Sequence, residues 1–354
     1  MDDGSRFNFN ATYQHQRAAL LLVNGAVYAG FASFCDFAAN VSRGWLLGWR
    51  SDTLAPLEIN SQPGTMASLL LNTQVQNPED YYLTSIWMSG AGPAADLTGN
   101  IYFVTGNSSP SGQMSNRHTN LQQSAVKFNL ARNQVTSLFT PYNYAALEQD
   151  DSDFGSGGIV ALPKSTTGLP LRLALAAGKD GWMFLMNRDS LGGFNGPDGP
   201  DRVIDRVQIG GCWCQPTYFE QAGTPTIVSS GGNTVQVWTL GGAGTPLVAG
   251  ASATIESGQE GGFFTSLSSD HDADPIIWAV SRPLNDDPAT VWLYAYAATS
   301  APGDPSLTRL YAAPAGNWPN TGGDAYIVPV VANGLVYVAA NQRLSVFGLG
   351  GHAP

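Results

Sequence analysis

Short apolar runs alternate with polar turns along this chain, and the same order of runs recurs. An apolar run leads to Asn-Gly or Gly-Asn, a second run carrying Tyr or Trp follows, and a polar turn precedes a third run. The clearest copy is Ile327–Gly348, where Ile327–Ala332 precedes Asn333-Gly334, then Leu335–Ala339, then Arg343–Gly348. Runs this short, bounded by turn residues, read as strands. The Asn-Gly pair marks a hairpin, because a type I′ turn needs positive φ at both central positions. A second copy spans Ala18–Trp49, with Asn24-Gly25, Ala26–Phe31 and Gly44–Trp49. A third runs through Pro93–Asp96, Gly99-Asn100, Ile101–Thr105 and Ser124–Phe128. A fourth has Leu171–Ala177, Gly178–Gly181 and Trp182–Met186. Thr226–Leu240 and Pro275–Tyr296 are weaker copies.

About six units at a spacing of roughly 45–65 residues match the repeat length of propeller blades. The pattern predicts an all-β protein, a β-propeller of about six four-stranded blades forming a single domain over 1–354. The blades fall at approximately 14–62, 85–142, 152–210, 215–258, 262–314 and 324–350. The last unit stops after its third strand at Gly348. A strand within residues 5–12, Phe7–Asn10, is the candidate to close it and leave no edge unpaired. A pair of β-sandwiches explains the even spacing less well.

Composition narrows the function. Charged residues make up only 12% of the chain, too few to clothe helix surfaces, which supports the all-β reading. The net charge of −11 and the lack of a Lys/Arg cluster exclude nucleic acid as a partner. No apolar run is long enough for a transmembrane segment. Met1-Asp2-Asp3-Gly4-Ser5 is polar, so no signal peptide is visible at the start.

Several segments resemble a known family. Gly178–Gly192, Ile86–Asp96, Asp153–Gly158 and Ile327–Gly348 are similar to the blade signature of the pyrroloquinoline-quinone (PQQ)-type repeat, a quinoprotein-like family of bacterial β-propellers. Most members are uncharacterised extracytoplasmic proteins. The resemblance implies a secreted or periplasmic location. It also makes this chain look like the C-terminal six blades of a longer propeller. PQQ-dependent alcohol dehydrogenases stack the quinone on a disulfide between adjacent cysteines, with calcium beside it. Here Trp213 separates Cys212 from Cys214, so PQQ is not expected.

Candidate chemistry is scattered. Cys212 and Cys214 could form a redox pair or metal thiolates, or one of them could pair with Cys35 to tie two blades together. Asp270, Asp272 and Asp274 alternate along the chain like the start of a calcium loop, which takes oxygen ligands, although Pro275 stands where such a loop has glycine. A solvated acidic turn is the alternative, as for Asp150–Asp153 and Asp198–Asp201. Trp87, Trp213 and Trp318 fall beside Gly-rich loops, where they could stack on a sugar ring at the channel mouth or pack between blades. Asp96, Asp153, Lys179, Asp180 and Asp324 are the candidates for acid, base or metal ligand. Neither a Gly-x-Ser-x-Gly elbow nor a phosphate-binding loop is present.

Two functions fit these residues. One is an extracytoplasmic binding or scaffold propeller that recognises a carbohydrate, a protein or another small molecule at the channel mouth. The other is an enzyme at the same place, either a hydrolase or lyase on a saccharide or lactone, or a metal- or quinone-assisted oxidoreductase. The enzymatic reading expects its candidate residues to converge in one pocket.

Overall fold

The computed structural model describes residues 1–33, 41–59, 66–75, 83–108, 116, 118–164, 172–221, 223–259, 261–271, 273–301, 303–319 and 325–348. Cys35, Asp272 and Asp324 lie outside the described residues. The chain divides into two compact units, Met1–Thr166 with Pro170–Val207, and Thr167–Leu169 with Gln208–Pro354.

The first unit carries three antiparallel sheets. The first sheet contains β1 (Gln14–His15), β2 (Leu21–Val23), β3 (Ala26–Ser33), β4 (Trp45–Arg50) and β5 (Leu69–Leu70). Both β1 and β2 pair with β3, one at Ala32 and Ser33, the other at Ala26–Tyr28, so they are two pieces of one strand and the sheet is four strands wide. The second sheet is the meander β6 (Ala94–Ala95), β7 (Asn100–Val104), β8 (Ala125–Asn129) and β9 (Gln134–Phe139). A short helix, α1 (Tyr144–Gln149), leads to the third meander, β10 (Ile159–Lys164), β11 (Arg172–Ala177), β12 (Trp182–Asn187) and β13 (Asp205–Gln208), which runs to the junction. Strands β7 and β11 are apolar on successive positions because both faces are covered; Tyr102, Phe103 and Phe128 are fully buried in the shared core. Each such side chain contributes about 1.5–3 kcal/mol.

The second unit carries β14 (Thr217–Gln221), β15 (Thr224–Ser229), β16 (Thr234–Leu240) and β17 (Leu247–Thr254), then β18 (Phe264–Asp270), β19 (Ala273–Val280), β20 (Thr290–Ala297) and β21 (Arg309–Asn317). Last come β22 (Val330–Ala332), β23 (Leu335–Ala340) and β24 (Arg343–Gly348). Period-two burial is clean in β23, where Val336 and Val338 enter the core.

Six consecutive antiparallel sheets of this kind make the fold an all-β propeller, as the repeats predict. The two Asn-Gly turns behave as expected. Asn24 and Gly25 have φ of 49° and 77°, Asn333 and Gly334 of 53° and 73°, and each joins paired strands. The closing strand expected at Phe7–Asn10 is not formed. These residues have no strand structure, and Phe7 stacks 6.0 Å from Trp45 while Phe9 meets Phe31 at 5.0 Å. The aromatic contacts hold the segment against the first sheet, and among the described residues the sixth sheet has three strands. No helix among the described residues is long and apolar enough to cross a membrane.

Candidate functional site

In a four-stranded meander the first and third turns lie at one end, and the second turn and the entry segment at the other. Asp153 precedes β10, while Lys179 and Asp180 form the β11–β12 turn, so all three share one end of the third sheet. Asp96 lies in the β6–β7 turn, at the opposite kind of end.

Asp153 and Lys179 are brought together. Lys179 Nζ donates to Asp153 Oδ2 at 3.1 Å, to Asp151 Oδ2 at 3.2 Å and to the Asp151 carbonyl at 2.7 Å. Asp153 also accepts the Asn107 amide at 2.8 Å, and Asn107 Nδ2 donates to Asp151 at 3.0 Å. Gln123 links Asn107 to the Phe154 amide. Close by, Glu148 on α1 accepts the Ser108 amide. Burial pushes the Glu148 carboxyl well up, and the neighbouring Asp153 charge adds to this. Burial raises Asp153 as well, against the pull of Lys179. Glycines permit the convergence. A Cβ on Gly155 would lie 2.2 Å from the Gly106 nitrogen, and one on Gly106 would lie 2.5 Å from Asp153 Oδ1. The Asp153–Gly158 motif is thus a close backbone crossing. Glu148, Asn107 and Gln123 gave no signal in the sequence, because they meet Asp153 only through tertiary packing.

Asp180 turns away from this network. It accepts the Trp182 amide at 3.3 Å, and burial pushes its carboxyl up to about 6, with Asp201 adding and Arg206 opposing. Arg206 pairs with Asp201 at 3.1 Å and lies over the Trp182 ring at 4.7 Å.

Asp96 is the acceptor of a tight turn. It takes hydrogen bonds from Thr98 N (2.9 Å), Thr98 Oγ1 (2.7 Å), Asn100 N (3.1 Å), Asn100 Nδ2 (2.9 Å) and Tyr102 OH (2.8 Å). Burial alone would raise its pKa, but the donors on Asn100, Thr98 and Tyr102 outweigh that and hold the carboxyl far below the usual range. Arg188 Nη1 approaches it at 3.5 Å, and Arg188 Nη2 donates to the Leu162 carbonyl at 2.7 Å. Lys127 Nζ donates to the Arg188 carbonyl at 2.8 Å. Beside this group Arg172 pairs with Asp189 at 2.7 Å, half exposed. Asp96, Arg172, Arg188 and Asp189 border a cavity of about 780 Å³ whose walls include Leu97, Leu162 and Pro163. Of the acidic and basic candidates, Asp96 is the one that lines it; Arg172, Arg188 and Asp189 join it through sheet pairing that the spacing of residues did not reveal.

The remaining candidates are separate. Cys212 and Cys214 are bonded to each other, so neither pairs with Cys35; their Cα atoms are 4.8 Å apart, within bridging distance. Between them Trp213 packs on Gly261, and its ring lies 5.2 Å from the Arg282 guanidinium. Trp87 is buried, with Arg17 over its ring at 4.8 Å, and Trp318 is half-buried. Asp270 and Asp274 sit on the exposed β18–β19 hairpin, where Asp270 bonds His271 Nδ1 at 2.9 Å. Among the described residues no three His, Cys, Asp or Glu side chains are grouped to hold a metal.

No family model matches the sequence, and no curated protein matches it. Solved structures do. The quinohemoprotein alcohol dehydrogenase ADHIIG from Pseudomonas putida HK5 is 13% identical, with 91% of this chain covering 55% of that one at a TM-score of 0.51. A europium-containing methanol dehydrogenase is 12% identical, over 92% of this chain and 57% of that one, at 0.43. A functionally unknown protein from Desulfotomaculum acetoxidans DSM 771 is 12% identical, over 94% and 83%, at 0.46. This chain spans about half the length of the dehydrogenases it resembles. At these identities the likeness is one of fold.

Cys212 and Cys214 are both buried, and a Cβ on Gly262 would lie 3.2 Å from Cys214 Sγ.

Proposed function

We propose that this protein is an extracytoplasmic recognition propeller that binds a saccharide in the cavity bordered by Asp96, Arg172, Arg188 and Asp189. One observation carries the reading. The cavity lies against the first strands of two neighbouring sheets, β6 and β10, and in a propeller the first strand of each sheet faces the central channel. Its size suits a small ligand, and apolar walls with a few fixed polar groups are the usual makeup of such sites. The Cys212–Cys214 disulfide supports an oxidising compartment outside the cytoplasm. The enzymatic alternative would draw on Asp153 and Lys179, but both are taken up by hydrogen bonds to loop groups. Asp96 lies apart from them, and Asp180, although next to Lys179, accepts the Trp182 amide instead.

Titration with a panel of mono- and oligosaccharides, followed by calorimetry, tests this. Saturable binding that disappears in Ala95→Trp, which fills the cavity, is the expected result. Binding unchanged by that substitution would move the site elsewhere, and turnover of a saccharide or lactone without stable binding would favour the enzyme.

A further inference from the structure

We infer that the ligand of this cavity is an acidic saccharide, a sugar bearing a carboxylate, and that Arg172 receives the carboxylate. The inference rests on the recognition reading above and adds the ligand's charge class.

Charge is the first reason. The chain has 16 basic residues against 27 acidic ones, yet the cavity lining balances Arg172 and Arg188 against Asp96 and Asp189, and the Lys127 ammonium lies nearby on the Arg188 carbonyl. A charge-balanced cavity on an acidic protein is a place where an anion meets less repulsion than elsewhere on the chain.

The second reason is which groups are free to change partner. Asp96 is saturated by donors from its own turn and cannot accept from a ligand without breaking that turn. Arg188 is held by the Leu162 carbonyl and Asp96, and its side chain is 7% exposed. Its Nε is buried without a hydrogen-bond partner, so the guanidinium is a fixed and under-satisfied positive group beside the cavity. Arg172 and Asp189 differ: their side chains are 54% and 46% exposed. An exposed pair of this kind is worth about 0–1 kcal/mol. A ligand carboxylate can therefore replace Asp189 on Arg172 at little cost and gain a two-pronged contact with the guanidinium fork. Asp189, once released, becomes an acceptor for a ligand hydroxyl. Leu97, whose side chain is fully exposed at the rim, and Pro163 offer apolar surface to the C–H face of a sugar ring.

Galacturonic acid, its methyl ester and galactose are the probes, titrated by calorimetry into the wild-type chain, Arg172→Ala and Asp189→Asn. Both substitutions are at exposed side chains, and thermal unfolding checks that each variant is folded. The wild type should bind galacturonate about tenfold more tightly than the ester or galactose. Arg172→Ala should remove that preference, so that galacturonate binds no more tightly than its ester, and Asp189→Asn should strengthen galacturonate binding several-fold. Raising the salt should narrow the preference. Equal affinity for the three sugars, or a preference that survives Arg172→Ala, overturns this inference and leaves the recognition reading standing. Absence of binding by all three overturns both.

Discussion

The ammonium of Lys179 lies 3.1 Å from the carboxylate of Asp153 and ties the β11–β12 turn to the segment that enters β10. Asp153 is 3% exposed, so removing its cation leaves a buried charge with only backbone and hydroxyl donors. Lys179→Met should cost about 3 kcal/mol. Asp153→Asn should cost less, because Lys179 keeps Asp151. The double variant should lose clearly less than the sum of the two. Urea unfolding of all four proteins measures the coupling, and strict additivity would show that the pair is not coupled.

Asp180 predicts a pH dependence. Its folded pKa of about 6 lies above the ordinary value of about 3.9, so the folded state binds its proton more tightly than the unfolded state does. The associated stability is full below about pH 4 and is lost as pH rises to about 6, where it levels off. Asp180→Asn keeps an oxygen acceptor for the Trp182 amide and removes the titration. The variant should be more stable than the wild type at pH 8 by on the order of 1 kcal/mol and nearly equal to it at pH 4. Denaturant midpoints at pH 4, 6 and 8 check this.

Two glycines should respond oppositely to the same change. Gly155→Ala drives a methyl to 2.2 Å from backbone atoms of Gly106 and Thr105, which cannot move without opening the loop crossing. A loss of about 3 kcal/mol is expected. Gly244 has open space around it and no positive φ, so Gly244→Ala should be neutral or slightly stabilising. Thermal unfolding of the two variants separates steric need from mere glycine abundance.

The disulfide spans two residues and so constrains little of the unfolded chain. Replacing both Cys212 and Cys214 by alanine should cost about 2 kcal/mol, the loop-closure value for so short a ring, rather than abolish folding. A fold that collapses entirely would show that the ring positions Trp213 and Arg282 for the surrounding core.

The fold was legible because its rules are local. Asn24-Gly25 and Asn333-Gly334 specify their turns within two residues, and Val336 and Val338 alternate with half-exposed neighbours in a single strand. The site was legible only in part. Asp153 and Lys179 stood out as charged residues beside glycines, and the structure joins them. Their setting, including Glu148 and Asn107, depends on loops far apart in sequence. Arg172 and Asp189 sit 17 positions apart on β11 and after β12, and only strand pairing makes them neighbours. The expectation for Phe7–Asn10 failed because two phenylalanines alternating with asparagines read equally as a strand or as a wedge against Trp45.

Strand β24 has a practical consequence. Among the described residues nothing pairs with its outer side, Leu344 and Val346 are 61% and 50% exposed, and Arg343 is its one charged residue. Unpaired backbone groups flanked by apolar side chains are the template on which chains self-associate. Val346→Lys, which places a charge on this six-residue stretch, should therefore raise solubility at high concentration, and light scattering of the two proteins checks it.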